Sequence, residues 1–242
     1  MPVKALAAAA LLALAGAKAT APAPTAPTQA RNDCPASSAD ADGGYQFVVL
    51  CPVRAPSPDG RYAVVQSEPD PATPGSEEHN PVRLANAAGQ PFDDIPAISD
   101  GMPFKLYWSP RSDWFFVNHY QGSSHERLRL FQVVNGAAVE RSALFAEAAR
   151  LMIARYPCLG QGALIFAAGA GWDRAGRKVA FYSYARPDAC WVEGAKRQTL
   201  GWATLAMIGD AESGRIDLAS VREVADGQGF PTDGPFAEFA PR

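Results

Sequence analysis

The sequence predicts an all-β fold. It is read as three four-stranded antiparallel blade-like sheets, open or three-bladed, with one inserted helix near residues 143–156. Three observations carry this. First, one short pattern occurs three times without a gap. It reads Ser57-Pro58-Asp59-Gly60-Arg61 before Tyr62-Ala63-Val64-Val65, then Ser109-Pro110-Arg111-Ser112-Asp113 before Trp114-Phe115-Phe116-Val117. The third copy is Asp173-Arg174-Ala175-Gly176-Arg177 before Lys178-Val179-Ala180-Phe181. Pro pre-sets φ, Asp bonds its own backbone and Gly tolerates φ > 0, so each copy is a tight turn feeding a strand. Second, four short apolar segments surround each copy, and self-similarity at long spacing signals a repeat architecture. Third, a single stretch departs from strand periodicity and shows helical spacing.

The N-terminus lies outside the repeats. Lys4 supplies a positive start, and residues 5–15 are an Ala/Leu run too short to span a bilayer. Ala17-Lys18-Ala19 then gives a small-x-small cleavage pattern, with Ala19-Thr20-Ala21 as the alternative site. Residues 1–19 therefore read as a secretory signal peptide, the rival reading being a retained membrane anchor. Cys34 follows Arg31-Asn32-Asp33 and is no lipid-attachment candidate. Removing residues 1–19 takes away Lys4 and Lys18 and no acid, so the formal charge moves from -3 to -5. A mildly acidic chain without a basic run has no electrostatic reason to bind nucleic acid or anionic lipid. The expected location is periplasmic or secreted, with no membrane span after signal removal.

Residues 20–30 are a Pro/Ala/Thr run that favours extended polyproline II. With the segment up to residue 44 they precede one domain, residues 45–242. Four cysteines in an exported chain predict two disulfides. Three pairings are open; Cys34–Cys51 with Cys158–Cys190 is favoured because each closes a local unit, worth roughly 3 kcal/mol per loop. A zinc site is the competing reading, but no two cysteines stand two to four residues apart.

The first unit takes its strands from residues 46–53, 61–67, 82–87 and the stretch after Gly89. A long polar loop, residues 68–80, interrupts it. The second unit has residues 104–108, 114–120, 126–134 and 137–141. Arg127, Leu128, Arg129 and Leu130 alternate as a half-buried strand does, and Asn135-Gly136 is a strong two-residue hairpin signal. Trp114 and Phe116 point one way and Phe115 and Val117 the other, so both faces of that strand read as buried. Ser142 is placed to cap a helix whose stripe includes Leu144, Phe145, Ala148, Leu151 and Met152, and Pro157 ends it. The third unit has residues 163–172, 178–184, 200–208, a turn at 210–214, and 216–224.

Strand, Ser-Pro-Asp-Gly-Arg, strand resembles the TolB-type β-propeller repeat, found in many periplasmic and secreted proteins. The first copy matches well, the second keeps Ser-Pro and the third keeps Gly-Arg. The resemblance covers three patches of about ten residues. It implies that each turn joins the first two strands of a four-stranded blade, and that the scaffold serves as a binding platform. Closed propellers have about four to eight blades. Three units therefore imply an open or three-bladed variant, or a ring that a second copy completes.

No nucleophile elbow, His-Glu-x-x-His, phosphate loop or dinucleotide fingerprint occurs, and no cofactor is called for. The candidate binding residues are His79, His119, Ser124, His125, Glu126, Arg186, Lys196 and Arg197. Strand parity sends every loop after a second strand to the end opposite the repeated turns, where loops on a rigid scaffold carry function. The expected function is an exported, non-enzymatic interaction module whose polar loop face meets a protein or envelope ligand. The alternative is a small periplasmic hydrolase or metal-assisted enzyme using His119 and His125, with Glu126 as a further ligand. A Ser124–His125 nucleophile pair is disfavoured, because adjacent strand residues point oppositely.

Overall fold

The computed structural model describes Cys34 and residues 38–68, 81–122, 125–159, 164–185, 202–225 and 227–239. The chain is predominantly β with one long helix. The three repeated turns share one geometry. Ser57, Ser109 and Asp173 each donate N–H to the carbonyl five residues on, at 2.9, 2.9 and 3.0 Å. Each accepts from the N–H three residues on, at Gly60, Ser112 and Gly176. Those three residues carry φ of 71°, 64° and 64°. Glycine meets this demand freely at two copies, and Ser112 meets it as a strained exception. In the first turn burial alone raises the Asp59 carboxyl. Hydrogen bonds from the Arg61 backbone and guanidinium and from Ser57 bring it down to about 2.

The first sheet is β2 (Val53–Pro56), β3 (Tyr62–Gln66), β4 (Val82–Asn86) and β5 (Pro91–Asp94), paired antiparallel in that order. The second unit is β6 (Phe104–Trp108), β7 (Trp114–Tyr120), β8 (Glu126–Val134) and β9 (Ala137–Glu140). Asn135 and Gly136 both have positive φ, 51° and 83°, as a two-residue hairpin of this hand requires. After the helix α1 (Ala143–Arg155) come β10 (Ile165–Trp172), β11 (Lys178–Ala185), β12 (Ala203–Asp210) and β13 (Arg222–Glu223). The second and third units do not stand as separate blades. β8 meets β10 in parallel, with Arg127 in register with Ala167, and this joins them into one nine-stranded sheet that also holds β1 (Tyr45–Phe47). The sheets do not close into a ring.

Packing nevertheless runs layer upon layer. Val64, Leu84, Phe47, Leu106, Phe115 and Phe131 form one core between the first sheet and the second unit. Trp114, Phe116 and Leu130 form another with α1, Phe181 and Met207. The far side of the third unit buries Ala180, Ala206 and Ile208 under Phe236 and Phe239 near the C-terminus. β7 thus has both faces covered, which explains six consecutive buried residues. Two tryptophans tie the layers. Trp108 Nε1 donates to Ala55 O at 3.0 Å, and Trp172 Nε1 donates to Tyr107 O at 3.1 Å. Each stands immediately before a repeated turn, and each reaches the equivalent position one unit back.

Three local differences have physical causes. The apolar run 46–53 is not one strand: a turn closed by Cys51 N–H to Val48 O, with Leu50 at φ 65°, separates β1 from β2 and sends β1 to β6. Residues 39–44, grouped above with the leading segment, fold back onto the domain, with Asp40 and Asp42 2.8 and 2.7 Å from Lys105 Nζ. The stretch 216–224 is broken by a 3-10 turn, Leu218–Ser220, where Asp217 accepts from Ala219 N–H and Ser220 Oγ accepts from Ile208 N–H. Cys34 and Cys51 form a disulfide. Cys190, the expected partner of Cys158, lies outside the described residues. No helix among the described residues is long and apolar enough to cross a membrane.

Candidate functional site

The hairpin between β7 and β8 brings together the candidate residues that the structure describes. β7 runs away from the second turn and ends at His119 and Tyr120, opposite Arg127 and Glu126 on β8. Gln121 N–H donates to His125 O at 2.8 Å and closes the loop. His79, Ser124, Arg186, Lys196 and Arg197 lie outside the described residues.

His119, expected on the binding face, is fully buried. Gln121 Nε2 is 3.1 Å from Nδ1, and an amide nitrogen only donates, so Nδ1 accepts and Nε2 carries the proton. Nε2–H donates to Asp100 Oδ1 at 2.9 Å. Burial pushes the imidazole below its ordinary value; Asp100 opposes this, and Arg129 and Arg127 add to it. His119 is therefore a neutral, fully engaged ring that props the hairpin against Phe104. The unfolded chain takes up this proton at higher pH than the folded one. Stability is thus complete above about pH 6.5 and falls as pH drops toward the lower folded value. Urea titrations at about pH 7 and pH 5 should show wild type losing stability on acidification, and His119→Gln losing less. Parallel losses in both proteins would refute this.

His125 stacks on Phe166 of β10, ring centroids 4.3 Å apart, and meets the edge of Trp202. Glu126 N–H donates to Tyr184 Oη at 3.0 Å, and the Glu126 charge pushes the Tyr120 phenol above its ordinary value. No hydrogen bond or ring contact joins the two imidazoles. Among the described residues no three His, Cys, Asp or Glu side chains are placed to hold a metal. Among the described residues His119 and His125 thus do not form a pair.

What the hairpin does build is a cavity of about 450 Å³, where the starts of β8, α1 and β10 converge. Its apolar floor is Leu128, Phe145, Ile165 and Phe166, so the ring that stacks on His125 also lines the cavity. Gln121, Arg127, Glu140 and Ser142 supply its polar groups. Glu140 is held by Arg129 at 3.0 Å, whereas Arg127 makes no hydrogen bond or ion pair among the described residues. Among the described residues the arrangement can hold a ligand by the Arg127 cation beside apolar rings. Sequence reading missed Arg127 and Gln121. The alternation of residues 127–130 shows that Arg127 leaves the core, but not that it borders a cavity.

Comparison with protein-family models, with curated proteins and with solved structures finds no match to the chain.

Proposed function

We propose that this is an exported, non-enzymatic binding module. It works in the periplasm or outside the cell and presents the β7–β8 end of a TolB-like, blade-built scaffold to a protein or envelope ligand. One observation carries the reading: the loop end holds a ready-formed cavity lined by polar and apolar side chains together, the usual make-up of a binding site. The Cys34–Cys51 bridge fits an oxidising compartment. The three like turns and the antiparallel strands that follow them support a TolB-like scaffold. On this reading Arg186, Lys196 and Arg197, candidate binding residues from the sequence, supply charge that suits a polar partner.

The test is capture of a ligand from an envelope extract by the exported protein. Replacing Arg186, Lys196 and Arg197 with alanine should abolish capture while leaving the melting temperature nearly unchanged. Undiminished capture by the triple variant would sink the proposal.

A further inference from the structure

The binding reading above leaves the ligand's chemistry open, and the cavity narrows it. Arg127 is the β8 residue in register with both neighbours, His119 on β7 and Ala167 on β10. Its backbone is therefore fixed where the two units meet. The residue is exposed, and its side chain makes no hydrogen bond or ion pair among the described residues. The other charged group on the cavity, Glu140, is neutralised by two hydrogen bonds from Arg129 Nη1, at 3.0 and 3.2 Å. Among the described lining residues one positive charge is left over.

The rest of the wall adds to this in the same sense. α1 begins there, and the Ser142 side chain makes no capping hydrogen bond. The positive end of the helix thus reinforces Arg127 without defining the site alone. Phe145, Ile165 and Phe166 offer apolar surface next to the charge. The size falls within the range of small-molecule sites.

We infer that this cavity takes a single carboxylate carried on a short apolar stem. Arg127 grips the carboxylate in a two-pronged hydrogen bond, and the stem lies on Phe145, Ile165 and Phe166. A planar guanidinium matches a planar carboxylate in this way. One uncompensated charge also selects a monoanion over a phosphate dianion. The same chemistry has two sources, a fatty carboxylate and the C-terminal carboxylate of a peptide ending in an apolar residue. The inference rests on the binding reading, but it can fail separately.

Calorimetry on the intact exported protein tests it with defined probes. They are octanoate against octan-1-ol, and an acetylated tripeptide ending in leucine as free acid against its amide. At least one acid should bind about tenfold or more tighter than its neutral counterpart, as expected for a charge-assisted pair. Arg127→Gln should remove that preference, and Arg127→Lys should restore part of it. Octanoate alone binding assigns a lipid-derived ligand, and the peptide acid alone assigns a chain terminus; either supports the inference. Equal affinity for acid and neutral forms, an unchanged preference in Arg127→Gln, or no binding of either acid would overturn it. If Arg127→Gln still captures ligand from envelope extract while no acid binds, the carboxylate assignment falls and the binding module stands.

Discussion

Truncating Phe115 to alanine should lower the unfolding free energy by about 3–5 kcal/mol, and truncating Phe116 by a similar amount, as for other buried aromatics. Both side chains have no exposed surface. They are adjacent on β7, so their side chains leave opposite faces of the sheet. Phe115 stacks on Phe131 at 5.0 Å and packs against Trp108 at 4.9 Å, inside the core shared with the first sheet. Phe116 stacks on Tyr107 at 4.8 Å and meets Trp172 at 5.7 Å, inside the core shared with α1 and the third unit. The two losses should therefore weaken different interfaces. Hydrogen exchange under native conditions reads this directly: Phe115→Ala should expose amides of β3 and β4, and Phe116→Ala those of β10 and β11. Loss of the same protected set in both variants would mean that the layers do not pack independently. A loss of this size is a large share of a typical domain stability of about 5–15 kcal/mol, so exchange should be followed at low temperature.

The layers were legible because their signals are local. The three turns need φ > 0 at one fixed position, and Gly60 and Gly176 announce it. The alternation from Trp114 to Val117 declares two buried faces, and both are buried. The helix was legible because its apolar spacing is interrupted by Pro157. Less visible was what a strand does at a distance. The run 46–53 looks continuous, yet the Cys51 turn divides it between partners, and no local preference records that choice. The parallel meeting of β8 and β10 rests on the single register pair Arg127 and Ala167, and parallel partners far apart in sequence leave little periodic trace. The repeat itself ran deeper than the turn. Trp108 and Trp172 precede equivalent turns and reach back to equivalent carbonyls, a pairing that can be read only once the layers are known to stack.

For the candidate residues the sequence indicates position along the strands more than surroundings. Strand parity put the β7–β8 loop at the far end from the turns, and there His125, Glu126 and Arg127 gather around apolar rings. Parity does not say which way a ring points. His119 sits on the face turned toward Phe104 and Asp100, so a residue chosen for its chemistry proves to be a buried support. Arg127 read as an ordinary solvated strand residue. Its interest comes from what is next to it, the start of α1 and the start of β10, neither of them near it in sequence.

The last expectation concerns the joint between the second and third units, where a side chain substitutes for a strand. Asn118 on β7 is buried, and its amide makes two hydrogen bonds to one backbone residue. Nδ2 donates to Gly169 O at 2.9 Å, and Oδ1 accepts from Gly169 N–H at 2.7 Å. The pairing of β10 with β11 slips between Gly169 and Gly171, so this part of β10 departs from a regular ladder. Gly169 is required by space as well. A Cβ there would lie 2.4 Å from Phe116 Cε2, against a ring that Tyr107 and Trp172 already hold. Asn118→Leu fills the volume but takes the side-chain partners from a part-buried N–H and C=O, at up to about 1–3 kcal/mol for each group. Gly169→Ala overpacks Phe116, with a further cost of about 1–3 kcal/mol. The two changes act on one contact, so the double variant should lose less than the sum of the single losses, by about 0.5 kcal/mol or more. Asn118→Asp should fall between wild type and Asn118→Leu, because it keeps the acceptor for Gly169 N–H and loses the donor for Gly169 O. Strict additivity, or an Asn118→Leu protein as stable as wild type, would show that the amide is not what secures β10 against β7.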